Sequence, residues 1–346
     1  MSLSSLPLFR PWSDRSADPS HPTQVEAILM SNPQPPAQHS AQPSARHSPQ
    51  HSVRSVLVTG ATSGLGRAVA RALSAQGLRV LVHGRDPERT RELAAELDRT
   101  GAAGARPLVA DLASLAGVRE LAVQAQEQEG ALHVLVNNAG LGAGPPPHTQ
   151  REVSADGHEL RFAVNYLAPV LLTRLLLPLL VRSAAGPGTE PSRVVNVGSV
   201  GQGPPDVGDL GMTRGYTGEQ AYVRSKFALA AFTVDLGGSP VARDVRVNCL
   251  HPATYMDTRA VREAGITPWA PVAAGVPPVL ALATGAAGGE VTGGYFDGLR
   301  PSRAHRGVYD AATRARLAAA TDAMLAPFAR AIGPVPPSAA DGGRPA

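Results

Sequence analysis

Thr59-Gly60-Ala61-Thr62-Ser63-Gly64-Leu65-Gly66 is the stretch that decides the fold. It follows a short β-branched run, Ser55–Thr59, and leads into an Ala/Leu/Arg segment of helical period, Leu65–Gln76. Glycines here permit a tight turn, let backbone amides approach a pyrophosphate, and allow the helix to pack close to the strand. The positive end of the helix dipole then faces the phosphates. A glycine-rich turn alone is a weak signal. Set between a strand and a helix at the head of the apolar region, it predicts a dinucleotide site that uses Gly60, Thr62, Ser63, Gly64, Leu65 and Gly66.

Outward from that turn the same alternation continues. Further strands are expected at Arg79–His83, Arg106–Val109, His133–Asn137, Arg193–Val197, Val245–Leu250 and Gly294–Phe296. Between them lie helical patterns at Pro87–Arg99, Leu115–Gln128, Leu160–Val181 and Glu219–Asp235. Strands apolar throughout and separated by helices predict an α/β fold, a doubly wound parallel sheet of Rossmann type, with ligands at the carboxyl ends of its strands. We expect one domain over 53–332. A Pro/Ser-rich leader over 1–52 and a tail over 333–346 are expected to be disordered, since neither can bury enough apolar surface to offset ordering entropy. Met30 is a candidate alternative start.

Composition removes several classes. Cys249 is the only cysteine of the 346 residues, so an intrachain disulfide, a Cys-rich zinc site and an iron–sulfur cluster are excluded. No His/Asp/Glu spacing suggests a metal. A net charge of +4 comes from scattered arginines, without the basic stripe that nucleic acid or anionic lipid requires. The most apolar run, Leu171–Val181, is interrupted by Pro178 and is far shorter than the ~20 residues of a membrane span. With no apolar signal region in the leader, a cytoplasmic location is expected.

The choice of dinucleotide rests on His83-Gly84-Arg85-Asp86. An acid at the end of the second strand would bond the ribose hydroxyls and repel a 2′-phosphate, but Gly84 stands there, with Arg85 beside it. A guanidinium suits a phosphate, so NADP(H) is favoured over NAD(H). Asp86 is read as the cap of the helix that begins at Pro87. Asp111-Leu112 either contacts the adenine or, for Asp111, caps the next helix.

Tyr222 and Lys226 lie four apart on an expected helix, and Lys226 is the only lysine in a chain with 31 arginines. An ammonium near a phenol favours the phenolate and would lower the tyrosine pKa from its usual ~10, making Tyr222 a reversible proton donor to a carbonyl oxygen. Ser199, just past the fifth strand, either holds a substrate oxygen or caps a turn. Asn165, inside an apolar helix, has a structural or catalytic task, because an unsatisfied amide there is costly.

In this order and spacing, the Thr59–Gly66 turn, Asp111, Asn137–Gly140, Asn165, Ser199 and the Tyr222/Lys226 pair resemble the short-chain dehydrogenase/reductase family, in its compact form. The resemblance runs over nearly all of 54–325. It implies an Asn/Ser/Tyr/Lys tetrad in which Tyr222 is the general acid/base, Ser199 orients the carbonyl, Lys226 binds the nicotinamide ribose, and Asn165 positions a water in a proton relay. It also implies cofactor contacts from Asn138, Ala139, Gly140, Pro252 and Thr254. The step from Ser199 to Tyr222 and the long segment after Asn137 look most like the branch of retinol dehydrogenases and protochlorophyllide reductases. In one departure, Pro252-Ala253 replaces the family's Pro-Gly, and the threonine that would meet the nicotinamide is either Thr254 or Thr258.

The expected substrate is a medium or large apolar carbonyl/alcohol pair on a small molecule. Tyr216 lies in the long segment before Tyr222, while Tyr255, Met256 and Trp269 follow Pro252, where a lid would lie, and these side chains serve either an apolar substrate or simple core packing. His83, His251 and Cys249 are read as strand or strand-end residues. The helices Leu160–Val181 and Glu219–Asp235 are expected to pair two copies into a homodimer or homotetramer. The alternative to an oxidoreductase is a catalytically silent NADP(H)-binding sensor or scaffold of the same fold, which would have no use for the Tyr222 proton.

Overall fold

The computed structural model describes residues 53–185 and 190–328. The leader over 1–52 and the tail over 333–346 therefore lie outside the described residues. Eight strands form one sheet: β1 Ser55–Val58, β2 Arg79–Gly84, β3 Ala105–Val109, β4 Val134–Asn137, β5 Ser192–Val197, β6 Val245–His251, β7 Tyr295–Asp297 and β8 Arg300–Ser302. Their order is β3-β2-β1-β4-β5-β6-β7-β8, with the first seven parallel and β8 antiparallel to β7. The winding reverses between β1 and β4, and this places the carboxyl ends of those two strands at a ligand-binding crevice.

The strands are buried on both sides because helices cover both. Val56 and Val58 of β1 face a cluster with Val69, Leu73, Leu97 and Val279, on the side of α1 (Gly64–Ala75), α2 (Pro87–Thr100) and α8 (Val276–Thr284). Leu57 points the other way, into a cluster with Leu121, Leu176 and Phe227. That side carries α3 (Leu115–Gln128), α5 (Ala168–Ser183), α6 (Gly218–Gly237) and α9 (Ala311–Leu325). The two-residue side-chain period of a strand separates the two cores.

The helix preceding and including α5 differs from its sequence reading. A short α4 (Leu160–Phe162) continues through one π-helical turn, Ala163–Leu167, into α5. The whole run, Leu160–Ser183, has 24 residues and is long and apolar enough to cross a membrane, contrary to the eleven-residue reading. In the fold it is a core helix, with Leu171, Leu176 and Leu180 fully buried against the sheet and its neighbours. Arg174 and Pro178 made the apolar stretch look shorter than the helix is.

Three helices and β8 carry no expectation in sequence. The first is α7 (Arg259–Glu263), a single turn. In α8 the opening Val-Pro-Pro disguises the start, although proline is tolerated in a first helical turn. In α9 apolar residues are spread almost evenly around the axis, so no stripe appears. Strand β8 is exposed and reads Arg-Pro-Ser; a two-residue turn containing Gly298, at φ +58°, folds it back on β7.

Helix α9 lies on the face expected to pair two copies. The Tyr166 hydroxyl and Thr321 Oγ1 are 2.8 Å apart in a buried hydrogen bond. Arg174 meets Asp322 at 2.7 Å, and Arg314 meets Asp235 at 2.5 Å. Part of the α5 and α6 surface is thus covered from within the chain.

Candidate active site

The glycine turn is built by close backbone approach. Gly60 has φ +63°, and a Cβ on it would stand 2.9 Å from Ala139 Cα. A Cβ on Gly66 would lie 2.2 Å from the Gly60 carbonyl oxygen. Thr59 is the hub: its buried Oγ1 accepts from the Asn138 and Ala139 amides at 2.9 and 3.0 Å. The Asn138 side chain donates to Thr59 O and Gly60 O, so it ties β4 to the turn. Buried His83 completes the frame, with Nδ1 accepting from Gly60 N at 3.2 Å and Nε2 at 3.2 Å from Ala110 O. Burial pushes the His83 pKa down to about 4, so the imidazole is neutral.

This frame fits a dinucleotide. At α1 the N-cap Ser63 makes no side-chain bond to the helix, whereas Asp86, Ser114, Thr217 and Asp310 cap α2, α3, α6 and α9. The α1 amides are therefore available to phosphate oxygens beside a turn with no side chain at Gly60 or Gly64. Leu65 is buried beneath. At the end of β2, a Cβ on Gly84 would meet Thr90 Oγ1 at 2.4 Å and Thr62 Cγ2 at 2.5 Å, which leaves no space for an acid. Arg85 is exposed there, and Arg89, which sequence reasoning passed over, donates to Thr62 O at 3.3 Å. Asp86 caps α2 through the Glu88 and Arg89 amides. Asp111 accepts from Ala113 N at 2.9 Å, and Leu112 is a core residue.

The four residues read as a tetrad converge at the carboxyl edge of β4 and β5. A Cβ on Gly140 would lie 3.2 Å from Asn165 Oδ1 and 3.6 Å from Lys226 Nζ. Asn165 sits in the π turn, and its amide is fully engaged: it accepts from Leu141 N at 2.7 Å and donates to Leu141 O and Ser225 Oγ, each at 3.0 Å. Ser199 Oγ accepts from Gly201 N at 3.1 Å and neighbours the Tyr222 phenol. The Ser199 carbonyl is held by Gln202 Nε2 at 2.7 Å and the Tyr295 hydroxyl at 2.8 Å. Sequence reasoning passed over both: Gln202 is a local loop contact three residues on, and Tyr295 is brought in by the distant strand β7.

Electrostatics depart from expectation at the tyrosine. Lys226 Nζ donates to Val197 O at 2.8 Å and lies 5.8 Å from the Tyr222 ring centroid. Burial raises the Tyr222 pKa above that of an ordinary phenol, and the neighbouring Ser199 hydroxyl opposes this only in part. Burial also lowers the Lys226 ammonium to about 8. The phenol is thus a proton donor at neutral pH, where a depressed pKa was expected.

Of the lid aromatics, Tyr255 and Trp269 pair edge to face, with centroids 4.8 Å apart, and Trp269 is 73% exposed. Tyr255 has φ +42°, a costly backbone for a non-glycine residue. Tyr216 lies just ahead of α6, and its hydroxyl is bound by Arg161 and Glu159. Thr254 Oγ1 is bonded to His251 Nε2, while Thr258 caps α7 and stands nearest Gly64. Pro252 packs near Leu65 and Gly275.

The site thus sets a buried tyrosine and lysine beside the switch point of a doubly wound sheet with a dinucleotide-type glycine turn. Residues 54–268 match the short chain dehydrogenase family model, and the chain belongs to that family. It is 41% identical over 217 residues to polyprenol dehydrogenase of Mus musculus, covering 61% of this chain and 62% of that protein. Against human retinol dehydrogenase 13 it is 35% identical over 270 residues, covering 71% and 77%. The match thus spans about three fifths of the first relative. Among solved structures, the Pseudomonas aeruginosa RhlG/NADP active-site complex is 28% identical, with a TM-score of 0.56 over 70% of this chain and 94% of that one. An oxidoreductase of E. coli, yciK, is 27% identical, with a TM-score of 0.57 over 71% and 95%.

Proposed function

We propose that the protein interconverts an aldehyde or ketone and its alcohol on an apolar small molecule, using NADP(H), with Tyr222 as general acid/base. The observation that carries this reading is the convergence of Asn165, Ser199, Tyr222 and Lys226 at the edge of the dinucleotide crevice, with Lys226 Nζ 5.8 Å from the Tyr222 ring centroid and both Asn165 Oδ1 and Lys226 Nζ lining Gly140. A bound nicotinamide supplies the hydride. Ser199 and Tyr222 would hold the carbonyl oxygen, and Tyr222 would deliver its proton there as charge develops. Lys226, fixed by Val197 O, would place its ammonium behind the phenol and reach the ribose. Asn165 acts through the backbone it holds, since its side chain is already satisfied.

Arg85, with Gly84 in the acid's place, supports NADP(H). The Tyr255/Trp269 wall, together with relatives named for retinol and polyprenol, supports a long apolar substrate. We place the protein in the cytoplasm. Any homodimer or homotetramer would use surface beyond the part of α5 and α6 that α9 covers.

The test is a panel of aldehydes and ketones, including retinal and a short polyprenal, with NADPH and NADH, read by the absorbance of the reduced nicotinamide. Tyr222→Phe should lower turnover by about 10²–10⁴-fold with NADPH still bound. A wild-type protein that binds NADPH and oxidises none across the panel would favour the silent binder.

A further inference from the structure

The loop after β4 is gripped twice from one helical run. Asn165 holds Leu141 by both its amide and its carbonyl, and four residues earlier Arg161 Nε donates to the next carbonyl, Gly142 O, at 2.7 Å. Residues four apart on a helix stand one above the other, so the two grips form adjacent rungs. Each rung also reaches toward α6. Asn165 Nδ2 donates to Ser225 Oγ, whose own hydrogen goes to Tyr222 O at 2.7 Å. Arg161 Nη1 donates to the Tyr216 hydroxyl at 2.7 Å, just before α6 begins.

Arg161 is nearly fully buried, and an uncompensated guanidinium there would be costly. Its compensation is built in. Glu159, wholly buried, lies 3.5 Å from Nη1, accepts from the Tyr216 hydroxyl at 3.1 Å, and accepts from Phe162 N through its other oxygen. Glu152 stands 3.9 Å from Nη2. The loop is shaped to the cation: a Cβ on Gly144, at φ +86°, would fall 2.3 Å from Nη2. On the α6 side, a Cβ on Gly218 would fall 1.9 Å from Ala143 O.

We propose that Arg161 is a positioning residue for the reaction, a second rung beside Asn165 that fixes the β4 loop and the Tyr222 helix in register through Glu159 and Tyr216. The inference rests on Tyr222 as the acid/base, and its first test does not need turnover. Hydrogen exchange should show amides of residues 141–148 opening about tenfold faster in Arg161→Met, with β1 to β3 unchanged, and about threefold faster in Tyr216→Phe. In the carbonyl assay Arg161→Met should lower kcat by about tenfold or more, with NADPH affinity within about twofold of wild type. Arg161→Lys should recover only part of kcat, because an ammonium cannot reproduce the planar fork. Unchanged loop exchange overturns the proposal, as does acceleration spread evenly over the chain, or faster loop exchange with unchanged kcat. If wild type turns over nothing, the reading of Tyr222 fails, while loop exchange still decides whether Arg161 is a rung.

Discussion

Replacing Thr59 by valine keeps the shape of the side chain and removes one hydroxyl. That hydroxyl is buried and accepts from two amides, Asn138 N and Ala139 N. Asn138 N has a second acceptor, Val136 O at 3.0 Å, so it loses only the better of two bonds. Ala139 N would be left inside the crevice without its partner, at about 1–3 kcal/mol for a buried unsatisfied donor. With roughly 0.5–1 kcal/mol for the weakened Asn138 bond, Thr59→Val should cost about 1.5–4 kcal/mol. Thr59→Ser keeps the hydroxyl and loses a methyl group, at about 1 kcal/mol. Urea unfolding with an unchanged slope would read both values. Because Ala139 packs on Gly60, the valine variant should also bind NADPH more weakly than the serine variant. A valine variant within about 0.5 kcal/mol of wild type, or a serine variant less stable than the valine one, would refute the account of Thr59 as hub.

Other perturbations follow from the same geometry. Gly66→Ala should destabilise the protein and weaken cofactor binding, measured by melting and NADPH titration. Helix propensity alone would favour alanine by about 1 kcal/mol, but its Cβ would meet the Gly60 carbonyl and the Asn138 amide. Arg85→Glu should weaken NADPH by about 10–100-fold in fluorescence titration and leave NADH nearly unchanged; equal losses would remove Arg85 from the 2′-phosphate. Stability should fall as pH drops from about 6.5 to 4, because the unfolded His83 takes up a proton that the folded imidazole refuses until about pH 4. Buried His251, also lowered, adds to the trend, so His83→Gln should make the slope of urea midpoint against pH shallower without abolishing it.

The sheet was legible because its strands are continuous apolar runs of a few residues punctuated by helical periods. Their ends fall within a residue or two of those expected. The cluster of Asn165, Ser199, Tyr222 and Lys226 stood out for a different reason: two of its members are polar residues where the local pattern calls for something else. Asn165 lies inside an apolar helix, and Lys226 stands in a chain that otherwise uses arginine. By the same logic Glu159 and Arg161, at the head of that helix, were a signal, but their partner Tyr216 is more than fifty residues away. Thr59, His83 and Tyr295 gave no local sign, because the atoms they hold belong to segments distant in sequence. The π turn was hidden too, since Ala163–Leu167 reads as ordinary helix until the helix must carry Asn165 to Leu141.

Lys226 is the chain's single ε-amine, and burial brings its pKa to about 8. An appreciable fraction is therefore unprotonated under mildly alkaline conditions, where ordinary lysines are almost wholly ammonium. Acylating or reductively alkylating reagents small enough to reach the crevice would thus modify the side chains of this protein at one address. Against the constant tag taken by the α-amine, a second tag in the mass of the intact chain would report a crevice that was open when the reagent arrived.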